Sequence, residues 1–251
     1  MPITIAGLCR YPIKSLSAEA LTRVVVTPGR ALPGDRRFAL RHAKSSYDPA
    51  APSWQRKREF AVLVHNADLA RLQTSFDADT GTLRIALGGQ TLFVGNVASA
   101  AARRGAEAVI NSVVKDARGP LQLVDAGAVA LTDQQVPYLS LINLATLREL
   151  SARAGAELDP ARFRGNVLVD GLAPWAEFDW VGRRLTAGGV ALKVIKRIDR
   201  CMATAVNPAT AQRDVDTLTI LREHYGHIDC GVFAEVETGG ELRVGQALTV
   251  S

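Results

Sequence analysis

The stretch Ile198–Thr210, IDRCMATAVNPAT, is where the fold of this 251-residue chain can be read. Upstream, RRLTAGGVALKVIKRI (residues 183–198) alternates apolar and polar positions around a Gly-Gly turn, the pattern of a half-buried strand pair. Downstream, Asn207-Pro208 stops any regular element. Cys201, directly behind Arg200, therefore sits between a β-rich run and an Asn-Pro turn. No Gly-rich loop opens a helix after a strand, and no P-loop, G-x-S-x-G or H-E-x-x-H occurs, which argues against the common parallel α/β enzymes.

The same β-rich texture extends outward. ITIAGLCRYPI (3–13), ALTRVVVTPG (20–29), RRFALRH (36–42) and GTLRIALGGQTLFVG (81–95) read as short strands bounded by Gly, Pro and Asp. NVLVDG (166–171) and CMATAV (201–206) continue the pattern in the second half, and GVFAEVETGGELRVGQALTV (231–250) reads as a closing hairpin turning at Gly239-Gly240. Helices are few. The alanine-rich segment 98–114 carries Val109 and Val113 on one face, and SLINLATLRELSARAG (140–155) spaces Leu141, Leu144, Leu147 and Leu150 helically, with Gly155 as terminator. DVDTLTILREHYG (214–226) has room for a third helix, with Asp214 as its N-cap. The expected fold is mainly β, α+β in class, with two barrel-like domains of mostly antiparallel strands, 1–127 and 128–251, and a boundary near Gly127.

Composition limits function. Forty-seven per cent hydrophobic and 22% charged residues describe a globular chain rather than a disordered one. No basic start, apolar run and cleavage site opens the sequence, and polar residues interrupt every apolar stretch well short of a membrane span, so a cytoplasmic protein without membrane attachment is expected. The net charge of +5 is concentrated between Arg30 and Arg58, where eight basic residues face only Asp35 and Asp48. That run is a solvated face or an anion site. It has few interleaved aromatics and no nucleic-acid-binding signature, so nucleic acid is not the expected partner. Cys9, Cys201 and Cys230 form no Cys-x-x-Cys pair, which makes a disulfide framework or a structural zinc site unlikely on sequence grounds.

Cys201 itself allows several readings: a small core residue, a nucleophile needing a histidine such as His224 or His227, or a soft-metal ligand favoured by the charge of Arg197 and Arg200. One protein sulfur does not hold such a metal alone, so a metal there would arrive in a cofactor.

Six motifs in order bear on the choice: YPIKSL (11–16), GDRRFAL (34–40), RFRGNVLVDG (162–171), PWAEFDWVG (174–182), RCMATAVNPAT (200–210) and CGVFAEV (230–236). Together they resemble the MOSC family, named for the carboxyl-terminal domain of molybdenum cofactor sulfurase, with its amino-terminal β-barrel companion. Segments 42–57 and 133–137 fit the family pattern least. The resemblance implies a molybdenum pterin cofactor with Cys201 of the Arg-Cys-x-x-Thr motif on the metal, which brings in Arg200 and Thr204. It further implies Lys14, Ser15 and Arg36 at the pterin phosphate, and Arg164 and Asn166 as additional cofactor contacts. By the same resemblance, the activity is reduction of N-hydroxylated compounds such as hydroxylamines and amidoximes, with a separate ferredoxin or flavoprotein as electron donor because no Cys-x4-Cys-x2-Cys run is present. Two other roles also suit a MOSC chain, sulfur transfer through a Cys201 persulfide and cofactor carriage without catalysis. Phe233 stands where some relatives have Tyr near the metal, and Ala211 where many have Gly. Trp175, Phe178 and Trp180 read as core or loop anchors, Cys230 reads as structural, and the four histidines have no assigned role.

Overall fold

The computed structural model describes residues 2–115 and 117–251. The amino-terminal half contains β1 (Thr4–Arg10), β2 (Glu19–Leu21), β3 (Arg23–Val26), β4 (Phe38–Arg41), β5 (Leu72–Asp77), β6 (Thr82–Leu87), β7 (Gln90–Asn96), α1 (Ala100–Val113) and β8 (Gln122–Asp125). The carboxyl-terminal half contains β9 (Leu139–Asn143), α2 (Leu144–Ala154), β10 (Val167–Asp170), β11 (Arg184–Ala187), β12 (Val190–Asp199), α3 (Thr217–Tyr225), β13 (Asp229–Thr238), β14 (Gly240–Arg243) and β15 (Thr249–Val250). The chain is mainly β, α+β in class.

Eight strands form one open sheet in the order β15-β11-β12-β13-β9-β10-β1-β2, and β5-β6-β7, β4-β8 and β14-β3 make three smaller sheets. All pairings between these strands are antiparallel except β9 with β10. That exception follows from α2, which connects the two strands and returns the chain in the same direction. β1 and β2 are the last strands of the large sheet, and Ile5 and Leu8 of β1, with Val26 of β3 and Leu32 after it, are buried in the same core as Leu141, Val167, Leu192 and Val232. A second core lies under β5, β6 and α1, where Ala106, Ile110 and Val113 recur at helical spacing. Val206, close in sequence to Cys201, is buried in that amino-terminal core.

Several sequence expectations are corrected. The stretch 231–250 is no hairpin: β13 pairs with β12 and β9, whereas β14 crosses over to pair with β3. Gly239-Gly240 is thus a point of exit from one sheet into another. Helix α2 is shorter than 140–155, because Leu141 is in β9 and Asn143 caps the helix through a 2.9 Å bond from the Ala145 amide. Gly155 ends it in the left-handed conformation as expected. Helix α3 is capped by Asp216, not Asp214, which is taken by an ion pair with Arg162.

Strand β12 delivers the Arg200-Cys201 pair. Val190, Leu192 and Val194 face the core with period two, and irregularities in its pairing with β13 at Val194/Lys196 and Arg197/Asp199 re-aim the strand end. Gly231 of β13 has φ +80°, and a Cβ there would strike the Leu141 carbonyl of β9. Only glycine lets the two backbones approach this closely. No helix among the described residues is long and apolar enough to cross a membrane.

Candidate functional site

A cavity of about 490 Å³ is walled by residues from both halves of the chain. Its wall includes Lys14, Ser15, Arg36, Arg164, Asn166, Arg200, Cys201 and Thr204, so every residue nominated from sequence lines one space. These side chains come from the loops after β1, before β4, before β10 and after β12, up to 190 positions apart in the chain. The structure fixes their place in the wall; their contacts differ in kind.

Three of them have left-handed backbones: Ser15 at φ 68°, Arg36 at 48° and Arg164 at 52°. Non-glycine residues in this region carry strain of order 1–2 kcal/mol each, which persists where surrounding contacts over-determine the loop. Those contacts are visible. The Arg36 amide donates to the Tyr11 carbonyl at 2.7 Å, and the Tyr11 amide donates to Asp35 at 2.9 Å. The Arg36 and Arg164 guanidinium carbons both sit over the Tyr11 ring, 4.3 and 4.2 Å from its centroid. Burial pushes the Tyr11 phenol up to about 12, against the two arginines, so it stays protonated.

The cationic end has donors to spare. Lys14, 6% exposed, gives one bond to the Leu131 carbonyl at 2.9 Å and one to Asp133, leaving the third N–H free of protein partners. Burial lowers its ammonium below the ordinary lysine range, and the Asp133 carboxylate opposes that. Arg36 donates to Asp35 and to the Arg164 carbonyl. Arg164 donates to the Leu16 carbonyl at 2.8 Å, but its Nη2 is buried without a partner among the described residues. Burial, and then the neighbouring Arg36, lowers the Arg164 guanidinium to about 10. Three crowded cations with unused donors are what an oxyanion would satisfy.

The other nominated residues are more committed. Asn166, 2% exposed, accepts from the Ser140 amide and hydroxyl and donates to the Cys9 carbonyl at 3.3 Å, which ties β9 to β1. Arg200 donates to the Phe163 carbonyl at 2.9 Å and to the Cys230 carbonyl, while Arg197 stacks on Phe178. Both guanidinium groups have protein partners, and Arg200 still interacts electrostatically with Cys201. Thr204 acts on the loop's shape, its hydroxyl donating to the Cys201 carbonyl at 2.9 Å and meeting Thr217. Cys201 is a half-buried free thiol facing the cavity. Cys230 is fully buried in the core under α2 and α3, and burial pushes its thiol up to about 12. Trp175, Phe178 and Trp180 lie outside the cavity wall, the last two in the main core.

Sequence reasoning missed two groups. Arg162, 4% exposed, holds both Asp214 oxygens at 2.7 and 2.9 Å and donates to the Ala205 carbonyl at 3.1 Å, bracing the loop after Cys201. It sits inside the quoted RFRGN motif, two positions before Arg164. Arg213 adds a clamp, donating to Met202, Leu63 and Val64 carbonyls and so bridging the two halves of the wall. The second missed group is Trp54, Arg56, Lys57, Asp133 and Gln134, all on the wall and all from the two segments that fit the family pattern least.

Ala211 closes the turn after Cys201 with φ 60°. Ala211→Gly removes a left-handed penalty at a site where nothing else changes, and should stabilise the protein by about 0.5–1 kcal/mol. A thermal melt checks this; a lower midpoint in the variant would count against the strained turn.

Donors suited to an oxyanion and one cavity-facing thiol fit a phosphate-bearing metal cofactor. Among the described residues no group of three or more His, Cys, Asp or Glu could hold a metal by themselves. The family model described as the MOSC domain matches residues 130–249, and that described as the MOSC N-terminal beta barrel domain matches residues 2–119. The chain belongs to the MOSC family. This MOSC protein is 28% identical over 135 residues to mitochondrial amidoxime-reducing component 1 of Mus musculus, covering 47% of the chain and 39% of that relative. It is 33% identical over 90 residues to the molybdenum cofactor sulfurase of Caenorhabditis elegans, covering 35% of the chain and 12% of that relative. The MOSC chain thus spans less than half the length of these two curated relatives. Among solved structures, the YuaD protein from Bacillus subtilis aligns over 100% of this chain and 96% of its own at a TM-score of 0.48 and 14% identity.

Proposed function

We propose that this MOSC protein binds a molybdenum pterin cofactor and reduces N-hydroxylated compounds, such as hydroxylamines and amidoximes, with electrons from a separate ferredoxin or flavoprotein. The observation that carries the reading is one cavity holding both the cation cluster of Lys14, Arg36 and Arg164 and the Cys201 thiol. The two named relatives, an amidoxime-reducing component and a molybdenum cofactor sulfurase, support the cofactor class.

Lys14, Arg36, Arg164 and the Ser15 hydroxyl would hold the cofactor's phosphate, and Cys201 would supply the protein sulfur on the metal. When bound, the cofactor supplies two-electron oxygen-atom removal: R–NH–OH with two electrons and two protons gives R–NH2 and water. The chain's own part is to seat the phosphate on charge-assisted donors, each worth about 1.5–3 kcal/mol. Arg162, Arg213 and Thr204 hold the Cys201 loop in place while the substrate's N–O group is presented.

Protein purified from a molybdenum-replete host should contain close to one molybdenum per chain and reduce benzamidoxime with a chemical electron donor. It should not do so with a bare pyridine nucleotide. Metal without turnover would favour a cofactor carrier, and a persulfide on Cys201 without metal would favour sulfur transfer.

A further inference from the structure

The outer wall of the cavity is a continuous rim that the function above does not use. Trp54 is pinned by its Nε1, which donates to the Thr132 carbonyl at 3.0 Å. Lys57 lies 3.8 Å from Asp133, and Lys196 donates to Gln134 at 2.9 Å. Lys196 then reaches over the Phe233 ring, 5.8 Å from its centroid, and Phe233 packs on Tyr138 with centroids 5.7 Å apart at 34°. These contacts run from one aromatic wall to the other through three exposed or half-buried loop positions.

The rim's charge is one-sided. Asp133 is already bound by the buried Lys14, so it does not neutralise Lys57 fully. Lys196 has a neutral partner, and the exposed Arg56 guanidinium has no hydrogen bond or ion pair among the described residues. The further acid on the wall, Asp199, precedes Arg200 and interacts electrostatically with it. A cleft lined by one sign of charge concentrates ligands of the other, and flat aromatic walls favour flat ligands.

We propose that Arg56, Lys57, Tyr138 and Phe233 select planar aromatic substrates carrying a carboxylate. That the substrate is N-hydroxylated rests on the reading above; the preference for an anionic aromatic body rests on the rim alone. Phe233, which lacks a hydroxyl, serves here as a stacking wall, and Tyr138 packs against it from β9's approach.

The test is equilibrium binding by calorimetry to the purified full chain, with 4-carboxybenzamidoxime, benzamidoxime and the saturated-ring analogue of the first as probes. At low salt the carboxylate should tighten binding on the order of tenfold, as one charge-assisted contact gives. The gain should shrink between about 10 mM and 1 M salt, as the screening length falls. The saturated analogue should lose most of the affinity, and Arg56→Glu with Lys57→Glu should erase the carboxylate preference at an unchanged melting temperature. Equal binding of the charged and neutral probes, or a preference untouched by charge reversal, overturns the assignment. So does a reversal that slows only reduction by an acidic electron-donor protein, since the rim then serves that protein. Turnover of benzamidoxime without discrimination sinks the rim assignment alone, whereas discrimination without molybdenum-dependent turnover sinks the reductase reading alone.

Discussion

Cys201→Ser should abolish turnover, by more than about 100-fold, and strip most of the molybdenum, while leaving the fold intact. The loss would exceed what is typical for residues that only orient a metal ligand, about 10–100-fold, because under the proposed function the ligand itself is exchanged. A serine oxygen is a hard and poor donor for a metal otherwise held by sulfur. Stability is expected to change by less than about 1 kcal/mol, because the half-buried thiol is free and the serine is nearly isosteric. Elemental analysis, benzamidoxime reduction and a melting curve on the same preparations check the three parts. A variant with full metal and full activity would remove Cys201 from the centre of the site.

Arg162→Met has the largest expected effect on stability. The side chain is 4% exposed and makes a bidentate pair with Asp214 and a 3.1 Å bond to the Ala205 carbonyl. Removing one partner of such a pair leaves the Ala205 carbonyl without this donor and the Asp214 carboxylate with Asn207 as its remaining side-chain donor, at a cost of about 2–4 kcal/mol after allowing for the partial exposure of Asp214. For a chain of this size that is a fall in melting temperature of about 5–15 °C. Arg153→Met, which removes an exposed pair with Glu149 and a contact with Tyr225, is the control and should leave the melting curve close to wild type. Partial burial works to raise the Asp214 carboxyl, but bonds from Asn207 and Arg162 hold it below the ordinary aspartate range. Its contribution is therefore present above that range and lost as pH falls through the folded value, and the variant should show a smaller acid loss. Because the same contacts brace the loop after Cys201, alkylation of Cys201 should also speed up. A melting temperature within a degree or two of wild type would mean that Asn207 alone suffices to hold Asp214.

What could be read from residues alone follows from the range of the signals. The strands of β12 and β6 and the end of α2 at Gly155 were legible because period-two alternation and helix termination are local. The destination of β14 was not, since Gly239-Gly240 specifies a turn but not the partner strand, and that partner, β3, lies more than two hundred positions away. Asp214 and Asp216 are equal candidates for a cap until Arg162 claims the first. In the site, ordered motifs nominated eight residues that share one cavity, but motif membership did not separate a spare donor such as Arg164 from a structural clip such as Asn166. Left-handed backbones at Ser15, Arg36 and Arg164 have no signature in residue type, and Trp54, Arg56, Lys57, Asp133 and Gln134 of the rim lie in the segments that fit the family pattern least.

The placement of β1 and β2 at the end of the large sheet also bears on how the molecule forms. β1 pairs with β10, and its neighbour β3 waits for β14, so the first strands of the chain have their partners among its later ones. Closing loops of this length carries its entropic cost before any contact rewards it. The cavity-lining residues Lys14 and Ser15 follow closely on β1, so the cavity is assembled by the late, long-range step and not by either half alone. Pulse-labelled hydrogen exchange should find the amides of β1 and β3 protected together with those of β10 and β14, after the local β5-β6-β7 meander, and a cofactor arriving during synthesis would meet no finished site until that closure.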